Sequence, residues 1–157
     1  MNIIFMGTPA FAVPVLEMLN THHIVKAVFT APSKKAGRSR KETDSPIYDI
    51  AIKLDLPILQ PVSLNSENVH SVILESQVDV VIVAAYGLFI PERLLDIPTF
   101  GCWNIHPSLL PKYRGPSPVI TSILNRDITT GVSLMKLDKN MDSGPIIAQQ
   151  TLSLIHI

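Results

Sequence analysis

The chain has 157 residues, 46% of them apolar and 17% charged, so it can bury one sizeable core and is not disordered. Thirteen Lys and Arg balance thirteen Asp and Glu. That balance excludes a whole-domain field for nucleic acid and confines any such contact to a local patch. The single cysteine, Cys102, excludes an internal disulfide and fits a reducing compartment.

Met1 to Phe5 is too short and too uncharged for a signal peptide and runs straight into a motif. Asn2 to Met6 (NIIFM) is an apolar run ending at Gly7 and predicts a buried strand. Phe11, Val15, Leu16 and Leu19 give helical spacing over Ala10 to Asn20. Ile24 to Thr30 is a second strand. Ala31 to Ser45 is expected to be a polar loop, carrying Lys34, Lys35, Arg38, Arg40 and Lys41. Ser45 as N-cap and Pro46 at the first position start a helix that runs to about Leu54. Pro57 to Gln60 is a short strand and Ser66 to Ser76 a helix.

Val78 to Ala85 is β-branched and nearly all apolar, as a strand buried on both faces requires. The longest apolar run, Val80 to Ile90, is too short for a membrane helix. Gly101 to His106 is a strand that ends in a proline-rich loop reaching Pro118. Val119 to Asn125 is helical, and Gly131 to Leu137 and Pro145 to Thr151 are strands. Strands alternating with helices predict an open, mostly parallel, twisted α/β sheet with helices on both faces. Ligand sites in such sheets lie at the C-terminal strand ends. A soluble cytoplasmic monomer without membrane contact is expected.

Several chemistries fall away on inspection. Met6-Gly7-Thr8-Pro9 follows the first strand, but Pro9 stands where a dinucleotide fingerprint needs its second glycine, and it lacks an N–H. A nicotinamide or flavin is therefore rejected. No GxxxxGK[ST] loop is present, and no cysteine or histidine spacing suits zinc, so no metal is expected. His22 and His23 fall in a connection and are read as solvated.

Asn104-Ile105-His106-Pro107-Ser108-Leu109-Leu110-Pro111 stands out. Strand alternation puts Asn104 and His106 on one side, at a strand's C-terminal end. An amide can hydrogen-bond a developing oxyanion, and an imidazole can move protons near neutral pH. Alone, such a pair more often closes a strand end. Asp142, in Asp138 to Gly144 (DKNMDSG), follows a strand in a loop that could fold over the same site. A carboxylate beside a histidine orients it and favours its protonated form. Alone, Asp-Ser-Gly is more often a turn. The residues by themselves give an Asn/His/Asp cluster that could serve transfer to an amine, hydrolysis, or nothing.

At these residues the chain resembles the folate-dependent formyltransferases, which pair an Asn-x-His before Ser-Leu-Leu-Pro with a distal Asp in a short glycine-containing loop. Ile4-Phe5-Met6-Gly7-Thr8-Pro9-Ala10-Phe11-Ala12, the segment from Phe29 through Arg38 to Pro46, and Tyr113-Arg114-Gly115-Pro116-Ser117-Pro118 resemble the branch acting on initiator methionyl-tRNA. Pro107, Lys112-Tyr113 and Asp142-Ser143-Gly144-Pro145 also fit the branch acting on glycinamide ribonucleotide, which is the alternative. A binding module for folate or nucleic acid without catalysis is a further one.

The resemblance implies a Rossmann-like formyltransferase domain over 1–152, cut short before the family's later helices and small β-barrel. Residues 153–157 (SLIHI) do not look like the family's polar continuation and are expected to be a tail outside the domain. It implies 10-formyltetrahydrofolate as donor and catalysis by Asn104, His106 and Asp142. The folate pocket it implies is lined by Tyr86, Leu88, Phe89 and Ile90 and closed by Ser108, Leu109, Leu110 and Pro111. Without the resemblance, Leu88 to Ile90 would read as the buried strand continuing. The resemblance also implies tRNA contact through Lys34, Lys35, Arg38, Arg40 and Lys41.

Overall fold

The computed structural model describes residues 1–36 and 41–155. In chain order its elements are β1 (Asn2–Gly7), α1 (Val13–His22, entered through a 3-10 turn at Ala10–Ala12), β2 (Ile24–Phe29), β3 (Lys34–Ala36), β4 (Lys41–Thr43), α2 (Pro46–Lys53), β5 (Ile58–Leu59), α3 (Glu67–Glu75), β6 (Val80–Ala84), α4 (Glu92–Leu95), β7 (Cys102–His106), α5 (Pro118–Leu124), β8 (Thr129–Lys136) and β9 (Ile146–Ser153). Helix starts follow their caps. Ser45 Oγ accepts from the Tyr48 N–H at 3.0 Å, and Ser66 Oγ from the Val69 N–H at 3.3 Å.

A run with no polar face becomes a central strand, because both of its sides must be covered. All of β6 is buried, and β1 is buried from Ile3 onward. They lie side by side in a seven-stranded sheet of order β5-β2-β1-β6-β7-β8-β9. From β5 to β7 neighbouring strands are parallel; β8 and β9 each run antiparallel to the strand before them. Side chains alternate across the sheet. Ile4, Met6, Val81 and Val83 face a core that includes Val69 and Ile73 of α3 and Leu94 and Leu95 of α4. Ile3, Phe5, Val80 and Ile82 face the opposite core, with Leu16 and Leu19 of α1 and Ile47 and Ala51 of α2. Helices therefore cover both faces, as the element order predicts.

The strand order reverses direction at the β1–β6 pair, so a crevice opens beyond their C-terminal ends. One local expectation is corrected. Residues 31–45 are not simply a loop, because β3 and β4 pair antiparallel, Lys34 opposite Thr43. This ladder lies outside the main sheet, and its sequence carries no apolar period to read. The alternative reading of Leu88 to Ile90 as a continuation of β6 does not hold: the strand ends at Ala84, and Ala85 turns the chain with φ 46°. The short helix α4 follows where no element was predicted. Among the described residues no helix is long and apolar enough to cross a membrane.

Candidate active site

Strand β7 ends with Asn104 and His106, and their alternation brings both onto a cavity of about 450 Å³ at the crevice. Asp142 arrives from the β8–β9 connection and lines the same cavity. Its loop is closed by Asp138, whose Oδ1 accepts from the Asn140 N–H at 2.8 Å and from Ser143 Oγ at 2.9 Å. Gly144 ends the loop against β8, where a Cβ would lie 1.9 Å from the Lys136 carbonyl oxygen. The three predicted residues thus meet. Asn104 Nδ2 donates to Asp142 Oδ1 at 3.4 Å, and His106 Nδ1 lies 3.6 Å from Asp142 Oδ2.

The two nitrogens of His106 face different partners. Nε2 is 2.9 Å from the Tyr113 carbonyl oxygen. A carbonyl only accepts, so Nε2 carries the hydrogen, and proton exchange is left to Nδ1 on the Asp142 side. His106 is only 4% exposed. Asp142 Oδ2 also accepts from the Gly115 N–H at 2.8 Å. Tyr113 and Asp142 hold left-handed backbones, φ 58° and 48°. For a non-glycine residue this costs on the order of 1 kcal/mol, which the surrounding bonds must offset.

Gly87, Leu88, Phe89 and Ile90 line one side of the cavity, with Tyr86. Leu88 and Phe89 are exposed, leaving apolar surface for a flat ligand, whereas Ile90 is buried. Tyr86 is 3% exposed and packs into the core; its hydroxyl has no partner among the described residues, and burial pushes its pKa up to about 12. Its main-chain carbonyl accepts from Thr8 Oγ1 at 2.9 Å, tying the β6 turn to the β1 turn.

Ser108, Leu109, Leu110 and Pro111 do not line the cavity. Ser108 and Leu110 are bound to the far strands instead. The Leu110 N–H donates to Ser133 Oγ at 3.0 Å, Ser133 Oγ donates to the Ser108 carbonyl at 2.6 Å, and Gln149 Nε2 reaches the Leu110 carbonyl at 3.0 Å. The wall they were expected to form is built by Gly115 to Ile120.

A second cavity, about 380 Å³, lies beside the first and shares Ala85 to Leu88 with it; Thr8, Pro9, Pro32 and Lys34 are among its other lining residues. Lys34 and Lys35 belong to β3 and Lys41 to β4, and Lys34 brings the start of the basic segment to this second cavity. Arg38 and Arg40 lie outside the described residues. Among the described residues no group of three or more His, Cys, Asp and Glu is placed to hold a metal ion.

Sequence reasoning missed the Tyr113 carbonyl, the Gly115 N–H, Asp138 and Gly144. Backbone groups leave no residue-type signal, although Gly115 within a proline-rich loop and Asp138 two residues before Asn140 are recognisable turn chemistry.

An open α/β sheet that gathers an amide, an imidazole and a carboxylate at one crevice is a scaffold for acyl-type transfer or hydrolysis. The chain belongs to the formyl transferase family, whose sequence pattern matches residues 1–156. It is 43% identical over 156 residues to the methionyl-tRNA formyltransferase of Prochlorococcus marinus, covering 98% of this chain and 46% of that protein. To the Rickettsia bellii protein of that name it is 42% identical over 155 residues, covering 98% and 51%. The chain thus spans about half the length of the curated relatives it matches. Among solved structures it superposes on phosphoribosylglycinamide formyltransferase from Bacillus halodurans with TM-score 0.74 at 24% identity, covering 98% of this chain and 80% of that one. A formyltetrahydrofolate deformylase from Pseudomonas syringae gives TM-score 0.75 at 20% identity, covering 99% and 52%. At those identities the likeness concerns the fold.

Proposed function

We propose that this chain carries the catalytic site that moves the formyl group of 10-formyltetrahydrofolate onto the α-amine of initiator methionyl-tRNA. The observation that carries this reading is the meeting of Asn104, His106 and Asp142 on one cavity. The curated relatives named above supply the acceptor. Tyr86, Leu88, Phe89 and Ile90 form the folate side. Lys34, Lys35, Arg38, Arg40 and Lys41 serve the acceptor's phosphates, and that contact weakens with salt.

The amine nitrogen attacks the formyl carbon, and the carbonyl electrons move onto oxygen. Asn104 Nδ2 has two hydrogens. One goes to Asp142, and the other is directed at the oxyanion. His106, protonated at both nitrogens, offers its Nδ1–H to the same charge while Nε2 stays on the Tyr113 carbonyl. Collapse of the intermediate breaks the bond to the folate nitrogen. That nitrogen leaves with a proton delivered through Nδ1, and the amine's proton replaces it. Asp142 holds the imidazole at the angle this exchange needs.

Two measurements test the reading. Calorimetry with a stable analogue of 10-formyltetrahydrofolate is expected to give one site. No heat from a folded sample at about millimolar ligand contradicts folate binding. In the second, the donor is offered with methionyl-tRNA and with glycinamide ribonucleotide, and the products are weighed by mass spectrometry. Formyl-methionine is the expected product, and formylation of the ribonucleotide alone would reassign the acceptor.

A further inference from the structure

The loop from β7 to α5 holds both ionisable members of the cluster through its backbone. The Tyr113 carbonyl accepts from His106 Nε2 at 2.9 Å, and the Gly115 N–H donates to Asp142 Oδ2 at 2.8 Å. Such a clamp is only as well placed as the loop itself. Tyr113 has φ 58°, which an aromatic residue does not adopt by preference, so contacts outside the backbone must hold it there. Its phenol donates to Asp127 Oδ2 at 2.7 Å and accepts from Asn125 Nδ2 at 2.9 Å. Lys112 Nζ reaches the same carboxylate oxygen at 2.8 Å and lies 4.8 Å over the Tyr113 ring.

Asp127 is itself anchored, because its N–H donates to the carbonyl of buried Ser122 in α5 at 3.0 Å. Bonds from Lys112 and Tyr113 hold its carboxyl below the ordinary carboxylate range, so it is charged at neutral pH. Lys112 is exposed in its pair with Asp127, and a pair with one partner in solvent contributes little by itself. The phenol bond is the one that bears on the loop.

We propose that Asp127 is a positioning residue for the transfer reaction: by binding the Tyr113 phenol it places the Tyr113 carbonyl, and through it fixes the tautomer and orientation of His106. Asp127 does not line the cavity, so it acts only through this relay. The inference rests on reading His106 as catalytic, but its first readout needs no turnover.

The test uses the intact chain labelled with nitrogen-15 in histidine, with the His106 ring signals assigned by His106→Gln. Two-bond proton–nitrogen spectra of the wild type, recorded with the ring neutral before substrate is added, are expected to show hydrogen on Nε2. In Asp127→Ala and in Tyr113→Phe the signature is expected to shift to a mixture of tautomers. With it, kcat for formyl transfer should fall about tenfold while KM for the donor stays within about twofold. Asp127→Asn, whose amide oxygen still accepts from the phenol, should restore both. The Asp127→Ala/Tyr113→Phe double variant should be no worse than either single one. Should Asp127→Ala lose its dispersed amide spectrum, Tyr113→Phe carries the test, because it removes a single oxygen. An unmoved His106 signature in the folded variants overturns the relay, whatever kcat does. Absence of formyl transfer by a wild type with the expected signature refutes the proposed function, not the relay.

Discussion

His106 shows how much of a site is decided around a side chain rather than by it. Its Nε2 is bound to a carbonyl, and only Nδ1 is left to face Asp142 and the cavity. Asn104, two residues back on the same strand, has a comparable division, with one amide hydrogen on Asp142 and one for a ligand. In the proposed reaction that second hydrogen matters most when the formyl oxygen becomes an anion, so its removal should act on the transition state. Asn104→Ala is expected to lower kcat about 100- to 1000-fold, with KM for the donor little changed. Steady-state kinetics with methionyl-tRNA checks this; a raised KM with kcat intact would make Asn104 a ground-state binding residue. The pair was legible in the sequence because period-2 alternation at a strand end needs no tertiary knowledge. The inward bonding of Ser108 and Leu110 was not, since it depends on Ser133 and Gln149, which arrive from other strands.

Elements place these residues, and the β8–β9 connection is the most exacting of them. Gly144 passes so close to β8 that an added Cβ would meet the Lys136 carbonyl at 1.9 Å, and backbone on both sides cannot yield as a side chain can. Gly144→Ala should therefore displace the loop that carries Asp142. Activity is expected to fall at least tenfold through kcat, while Tm drops by only a few degrees, because the strain of about 1–3 kcal/mol sits in one connection. Thermal melting alongside kinetics reads both, and unchanged kcat would detach Asp142 from this close approach. Much at this scale was written in the chain. Continuous β-branched residues announce β6, and Ser45 and Ser66 announce their helices through caps that form as expected. The β3–β4 ladder and α4 were not legible: one has lysines where a period would be, and the other is a single turn. The left-handed Tyr113 and Asp142 were hidden for another reason, since neither is glycine and only their bonded surroundings hold them there.

For the whole molecule, the consequence of two cores on one sheet is that β7 has to bury its first residue. Cys102 is 1% exposed, packed in the core of Val81, Val83 and Leu94, with its Sγ 3.7 Å from the Leu94 carbonyl. Burial, and secondarily the charge of Asp96, push its pKa from the ordinary 9.0 up to about 12. Tyr86, in the same core, is pushed by burial from 10.0 to about 12. The sign follows from linkage. Above about pH 9 the unfolded thiol loses its proton while the native one keeps it, so the unfolded state binds fewer protons and stability falls as pH rises. The stability that these groups support is complete below their ordinary values and is lost as pH climbs toward about 12. Denaturant unfolding of wild type and Cys102→Ala at about pH 8 and about pH 10.5 isolates the thiol's share, because the variant's loss of packing is the same at both. Wild type is expected to lose more stability than Cys102→Ala over that interval. Equal losses would mean that the thiol titrates alike in both states and that β7 is less well covered than the sheet order implies. The same burial predicts that an aromatic disulfide reagent labels native Cys102 only as fast as the fold opens, so its rate should follow the denaturant-dependent opening rather than the reagent's reactivity with a free thiol.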